Sequence, residues 1–244
     1  MNILILAAGS VNFNADDCHY PLCLTELNGI PLIERLINSC RTVGDAEYTV
    51  ALREQDIRRC HLDNVIKLLV PDSHIISITD ITQGAACTAL LAVRYINNDE
   101  ELLILNGNEL LEVDFSLVIN HFRMHQLDAG TVVFPSIHPR YSYVRVNHDE
   151  LVIEAAEKNP ISRHATAGFY WFRHGKDFVR AAQNMIRKNE SLNDAFYICP
   201  SFNELILEQA RIGVYPVMGH QYHPLKTERH VIQYETAIEK RKTV

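Results

Sequence analysis

Glu157 and Lys158 stand side by side at the end of an apolar stretch. A lysine oriented by a neighbouring glutamate is a ready contact for a substrate phosphate, although an exposed ion pair at a strand end leaves the same trace in sequence. Arg163, just beyond, can add a forked phosphate contact or sit in a loop as a solvated charge. Gln83 carries an amide able to read a base edge, or simply begins a helix. Gly84, Ala85 and Ala86 after it are small enough for a phosphate or base to approach the main chain. Ile3 to Gly9 run as an apolar strand into Ala7, Ala8 and Gly9, so backbone amides lie bare at a strand end, where open α/β sheets bind ligands. Asn203 and Glu204, shortly after a Cys-Pro pair, read by themselves as a plain helix start. His121 and His125 have metal-ligand spacing on one helical face; with no third ligand in view, they read as a surface pair. No Ser-His-Asp or Cys-His arrangement can be defended from spacing.

These residues need strands and helices to hold them. Apolar runs at 2–6, 47–52, 75–78, 102–105, 131–135, 143–147, 151–156, 168–172 and 213–217 predict strands. Helical periodicity covers 31–42, 86–96, 115–126, 176–188 and 201–210. Pro31 opens the first helix where a proline is tolerated, and Asp114 precedes the third as an N-cap. Strand and helix alternate in the first half, which predicts a parallel, doubly wound layer. Beyond residue 130 the strands crowd together, and His148-Asp149-Glu150 between two of them predicts a hairpin. The expectation is one α/β domain over 1–244, with a nucleotide-type front half over about 1–130 and a more mixed back half over about 131–230. The Tyr and Phe residues of 169–172 and 196–202 alternate as packing residues do.

A net charge of −7 and the lack of a basic stripe speak against a nucleic-acid partner. No apolar run is long enough to span a bilayer, and Met1-Asn2 leads straight into the first strand. The six cysteines are scattered without a CxxC pair, which predicts reduced thiols in a cytoplasmic protein.

Taken in order, the segments resemble the sugar-phosphate nucleotidyltransferases. The resemblance runs through Leu6-Ala7-Ala8-Gly9, then Pro21 with Leu24-Thr25-Glu26-Leu27-Asn28-Gly29-Ile30-Pro31, then Thr82-Gln83-Gly84. It continues through Leu103-Ile104-Leu105-Asn106-Gly107-Asn108, then Glu157-Lys158 and Ala167-Gly168-Phe169-Tyr170, roughly residues 2 to 230 in all. It implies a GT-A, Rossmann-like mixed sheet flanked by helices. It also implies a reaction joining a nucleoside monophosphate to a sugar phosphate or related phosphorylated metabolite with release of pyrophosphate, in surface-polysaccharide precursor synthesis. Ala7, Ala8, Gly9, Gln83, Gly84 and Asn106 then form the nucleotide side; Glu157, Lys158, Arg163, Gly168 and Asn203 form the acceptor side. Asn108 falls at the position of the family's metal-binding aspartate, with Mg²⁺ the expected cofactor. The expected partners are an NTP and a phosphorylated sugar, with no nucleic acid and no membrane; a homo-oligomer stays open.

The departures from the family are systematic. Its glycine-rich, arginine-bearing loop is replaced by Ser10-Val11-Asn12-Phe13-Asn14-Ala15-Asp16-Asp17. Leu22 stands where the resemblance implies a lysine on the phosphates, and Asn108 where it implies an aspartate. Leu225-Lys226-Thr227-Glu228-Arg229 lacks the glycine and proline of the family's C-terminal stretch. Phosphoryl-type transfer rests on positioning and on neutralising charge, so losing one such group commonly costs on the order of 10²–10³ in rate. Two other readings therefore stand beside the enzyme. One is a silenced homologue that binds a sugar phosphate or nucleotide sugar as a sensor or partner subunit. The other is a glycosyl-transferring relative, disfavoured because no Asp-x-Asp follows the strand at 102–105.

Overall fold

A computed structural model describes residues 1–9, 21–225 and 228–242. The loop from Ser10 to Asp17, Cys18 and the Lys226-Thr227 pair lie outside the described residues.

The front half contains β1 (Asn2–Leu6), the short hairpin β2 (Glu26–Leu27) and β3 (Ile30–Pro31), α1 (Leu32–Cys40), β4 (Glu47–Arg53), α2 (Glu54–Cys60) and α3 (Leu62–Leu69). It continues with β5 (His74–Ile78), α4 (Ala85–Leu90), α5 (Val93–Ile96), β6 (Leu102–Asn106), β7 (Glu109–Leu111) and α6 (Phe115–Met124). The back half adds β8 (Ala129–Pro135), β9 (Ser142–Val146), β10 (Val152–Glu157), β11 (His164–Phe172), α7 (Gly175–Arg187), α8 (Ser201–Leu207), β12 (Ile212–Pro216), β13 (Tyr222–Pro224) and α9 (Glu228–Lys242).

One sheet runs through both halves in the order β10-β9-β11-β6-β1-β4-β5, with β8 branching between β11 and β12. β6, β1, β4 and β5 are parallel, the layer expected of alternating strands and helices. β11 lies antiparallel to β6 and joins the halves. The expected hairpin is present as the antiparallel pair β9 and β10.

The apolar run in β1 is continuous because both faces of the sheet are covered. Ile3 and Ile5 enter one core with Leu103, Leu105, Phe122 and Trp171. Leu4 enters the opposite core with Leu102, Ile104, Phe172 and Phe178. Alternation with period 2 thus assigns neighbouring residues to opposite layers.

Several boundaries differ from expectation. The helix predicted over 86–96 breaks at Ala92 (φ −88, ψ 8), whose N–H bonds back to Ala89 in a tighter turn. Residues 54–69, for which no element was predicted, form two helices split by His61 in the left-handed conformation at φ 50. Pro31 precedes α1 instead of occupying its first turn. Asp114 does cap α6, its carboxylate accepting from the Ser116 N–H at 2.9 Å. β7 and β13 pair across the chain, a contact that no local pattern announces.

Candidate functional site

A cleft of about 870 Å³ opens at the carboxyl ends of the parallel strands. Leu6, Arg53, Ile78 and Asn106, the last residues of β1, β4, β5 and β6, all line it. This is where strand ends of an open α/β sheet leave unused backbone groups for a ligand.

Close packing shapes the floor. The Gly107 N–H donates to the Leu6 carbonyl at 2.9 Å, and a Cβ on Gly107 would meet the Ala7 Cβ at 2.8 Å. The Ala7 N–H in turn donates to Ala51 at 2.9 Å. Small residues at 7 and 107 therefore let the strand ends meet. Gly9 has no heavy atom within 4 Å of an added Cβ and faces open space. Gly84 is the opposite case. Its φ is 101, and an added Cβ would lie 2.3 Å from the Phe196 carbonyl oxygen. Phe196 is stitched to this turn by its N–H on Gln83 O at 2.8 Å and by its carbonyl accepting from Ala86 N–H at 3.0 Å.

The other half of the cleft is built by β9, β10 and β11. The β11 register shifts between Thr166 and Tyr170, and Gly168 lies in that irregularity at φ 64. A Cβ on Gly168 would lie 1.9 Å from Glu109 Oε2, so the glycine makes room for that carboxylate. Glu109 is 7% exposed and accepts from Asn106 Nδ2 at 3.2 Å. The Ser142 hydroxyl bonds to the Glu157 carboxylate. The Lys158 ammonium donates to the Tyr197 hydroxyl at 2.8 Å and stands 4.9 Å from that ring's centre. Lys158 itself takes φ 51, a conformation that costs a side-chain-bearing residue roughly 1–3 kcal/mol and clusters at functional sites.

Burial keeps two phenols of the cleft, Tyr170 and Tyr222, protonated. It pushes Tyr222 well above the usual phenol range, with the negative Glu109 adding to the effect. It does the same for Tyr170, with Cys199 and Glu157 contributing, and the Tyr170 hydroxyl lies 2.9 Å from Thr166 Oγ1. Cys23, in the same wall, is pushed up to about 12 by burial and then by Asp56 nearby, so it presents no thiolate.

The charges of the two halves differ. In the front half, Arg53 forks onto Asp56 at 2.7 and 3.0 Å, and Arg58 pairs with Glu54 at 2.6 Å. Leu22 is 8% exposed and packs with Leu27, Leu32, Leu110, Leu225 and Tyr234. The position where a phosphate-binding lysine was expected from the resemblance is thus an apolar anchor for the C-terminal helix.

Of the residues singled out in sequence, Ala7, Ala8, Gly9, Gly84, Asn106, Asn108, Glu157, Lys158 and Gly168 all line this cleft. Gln83, Arg163 and Asn203 are not among its lining residues. The Gln83 side chain is exposed and its carbonyl is spent on Phe196. Arg163 is also exposed, with its carbonyl accepting from Ser136 N–H. The Asn203 amide mimics a strand: its Oδ1 accepts from Ala155 N–H at 2.8 Å and its Nδ2 donates to Ala155 O at 2.9 Å. It thereby fastens α8 to β10, the edge of the sheet. Asn203→Ala leaves both Ala155 groups unpaired and is expected to lower stability by about 1–3 kcal/mol, read as a lower urea midpoint at unchanged slope.

His121 and His125 lie with ring centres 4.3 Å apart, and His125 Nδ1 lies 2.8 Å from the His121 carbonyl. Among the described residues no group of three or more His, Cys, Asp or Glu side chains is placed to hold a metal ion. Sequence reasoning missed Arg53, Asp80, Arg140, Ser142 and Tyr222 as lining residues. Arg53 and Asp80 follow strands already predicted and were legible as strand-end residues. Tyr222 was not, because β13 exists through its pairing with β7.

No family model matches the chain. In sequence it is similar to the bifunctional protein GlmU of Methanococcus aeolicus, 27% identical over 197 residues that cover 80% of this chain and 44% of that protein. The chain therefore spans less than half the length of that curated relative. In structure it resembles a nucleoside-diphosphate-sugar pyrophosphorylase from Vibrio cholerae RC9, with a TM-score of 0.78 at 20% identity, over 97% of this chain and 100% of that one. It also resembles a UDP-glucose pyrophosphorylase complexed with UDP-glucose, with a TM-score of 0.75 at 14% identity and 98% of each chain covered. The fold is the GT-A, Rossmann-like fold of the sugar nucleotidyltransferases. The likeness read from the segments, to sugar-phosphate nucleotidyltransferases, is shared by both comparisons. No helix among the described residues is long and apolar enough to cross a membrane.

Proposed function

We propose that the chain is a nucleotidyltransferase-like protein whose cleft takes an NTP beside Ala7, Ala8 and Gly9, and a sugar phosphate or related phosphorylated metabolite beside Glu157, Lys158 and Gly168. The observation that carries this reading is the convergence of those segments, far apart in sequence, on one cleft at the parallel strand ends. In the reaction an acceptor phosphate oxygen bonds to the α-phosphorus of the NTP. The bond from that phosphorus to the bridging oxygen breaks, and pyrophosphate leaves with the electron pair. Lys158 holds the acceptor phosphate, and Glu157, braced by Ser142, orients acceptor hydroxyls. A role in surface-polysaccharide precursor synthesis fits this chemistry.

Magnesium fits the cleft in a limited way. Asn108 lines the cleft and would offer a neutral oxygen, and Glu109 is the adjacent carboxylate. Mg²⁺ commonly rests on few protein ligands and takes the remainder from substrate phosphates and water, where it neutralises charge. Pyrophosphate release across all four NTPs and a panel of phosphorylated sugars, with Mg²⁺ or Mn²⁺, tests the reading. Absence of turnover in every combination sinks the enzyme.

Leu22 favours a second reading, a silenced homologue that binds a sugar phosphate or nucleotide sugar as a sensor or partner subunit. Its burial among leucines and Tyr234, where the resemblance implies a lysine on the phosphates, supports that reading. Thermal stabilisation by sugar phosphates without any by NTPs is its signature. Leu22→Lys is expected to lower stability by about 1–3 kcal/mol, since a lysine there must thread its stem out of an apolar cluster. Thermal unfolding read beside limited proteolysis of α9 checks this, and an unchanged profile contradicts it.

A further inference from the structure

We infer that Arg140 is a phosphate ligand of this cleft, acting with Lys158 as a two-cation clamp; the inference rests on the binding reading above and gives its acceptor side a second contact. Arg140 lines the cleft from the loop before β9, and Lys158 lines it from the end of β10. The two positions are tied together by the Lys158 N–H donating to the Tyr141 carbonyl at 3.0 Å.

Neither cation is in an ion pair with a described carboxylate. Each rests instead on a tyrosine: the Arg140 guanidinium is 4.8 Å from the centre of the Tyr141 ring, and the Lys158 ammonium is 4.9 Å from that of Tyr197. A ring face holds a cation weakly and spends none of its hydrogen-bond donors; Arg140 keeps all of its own and Lys158 gives one to the Tyr197 hydroxyl at 2.8 Å, so both groups retain donors for a phosphate. The other cleft arginines cannot do this, because Arg53 and Arg58 are already held by Asp56 and Glu54. Among the described residues, the uncommitted positive charge of the cleft therefore sits on its acceptor half. A guanidinium there offers the fork geometry that a phosphate accepts in pairs, which an ammonium lacks.

Calorimetric titration of the full chain with UDP-glucose, glucose 1-phosphate and uridine tests the clamp. Arg140→Ala is expected to weaken UDP-glucose and glucose 1-phosphate by roughly 10–100-fold while leaving uridine unchanged. Arg140→Lys is expected to restore part of the loss, because charge returns without the fork. Arg145→Ala removes one charge outside the cleft, from a pair with Glu154, and is expected to leave all three affinities as they were. Equal affinity in Arg140→Ala and wild type overturns the clamp and leaves the reading of the cleft intact. A parallel loss of uridine overturns it in favour of a packing role for Arg140. Should the wild-type chain bind neither phosphorylated ligand, the cleft reading falls and the clamp with it.

Discussion

Alanine at Gly84 is expected to lower stability by about 2–4 kcal/mol, which in a chain of this size moves the melting temperature down by roughly 5–15 °C. Two independent costs combine. The backbone at φ 101 is one that an L side chain rarely adopts, and the new Cβ would press against the Phe196 carbonyl oxygen at 2.3 Å and its nitrogen at 2.7 Å. Those are main-chain atoms, held by bonds to Gln83 and Ala86, so no rotamer change relieves the clash. The turn that leads into α4 must move, and with it the Thr82 and Thr88 hydroxyls, 2.6 Å apart beside the cleft. Gly9→Ala is the contrast, with open space around the new atom and little expected change in stability. Thermal unfolding of both variants decides it. A Gly84→Ala protein as stable as wild type would falsify the packing role assigned to this glycine.

On the transferase reading proposed above, replacing Lys158 by alanine is expected to reduce nucleotidyl transfer by on the order of 10²–10³-fold, the usual cost of removing one charge-stabilising group from a preorganised site. The lysine occupies a left-handed backbone position at φ 51, where glycine is the comfortable residue. Lys158→Gly should therefore lose the same activity yet be more stable than Lys158→Ala by about 1 kcal/mol. Turnover from steady-state pyrophosphate release, set beside urea midpoints for the two variants, separates function from strain. Activity retained in both variants removes Lys158 from the reaction. Equal stability of the two removes the strain argument.

The different fates of the sequence-derived residues have physical causes. The cleft positions of Ala7 and Gly9 were legible because the apolar run of the first strand ends in them and strand ends of a parallel layer lie open, whereas that of Asn106 came through the order of the segments. Glu157 and Gly168 were legible through the order of the segments. Asn203 misled because an amide beside a pocket and an amide closing a sheet edge look identical until the partner is seen; Ala155 is 48 residues away. Leu22 showed the loss of a charge in sequence, yet its role as an anchor for Tyr234 appears only once α9 folds back onto the front of the molecule. Arg140 drew no notice, since a lone arginine in a loop is usually a solvated charge.

The amino-acid order alone determined the alternation of strand and helix, the parallel front layer, the hairpin behind it and the strand ends that face a ligand. Those features follow from periodicity and local turn chemistry, which act over a few residues at a time. Tertiary structure decided which charges are already spent, which glycines are demanded by a neighbour's backbone and which amides serve the sheet instead of a substrate. Each of these depends on contacts between residues tens to hundreds of positions apart, and their energies are set by burial and distance, neither of which a linear pattern contains.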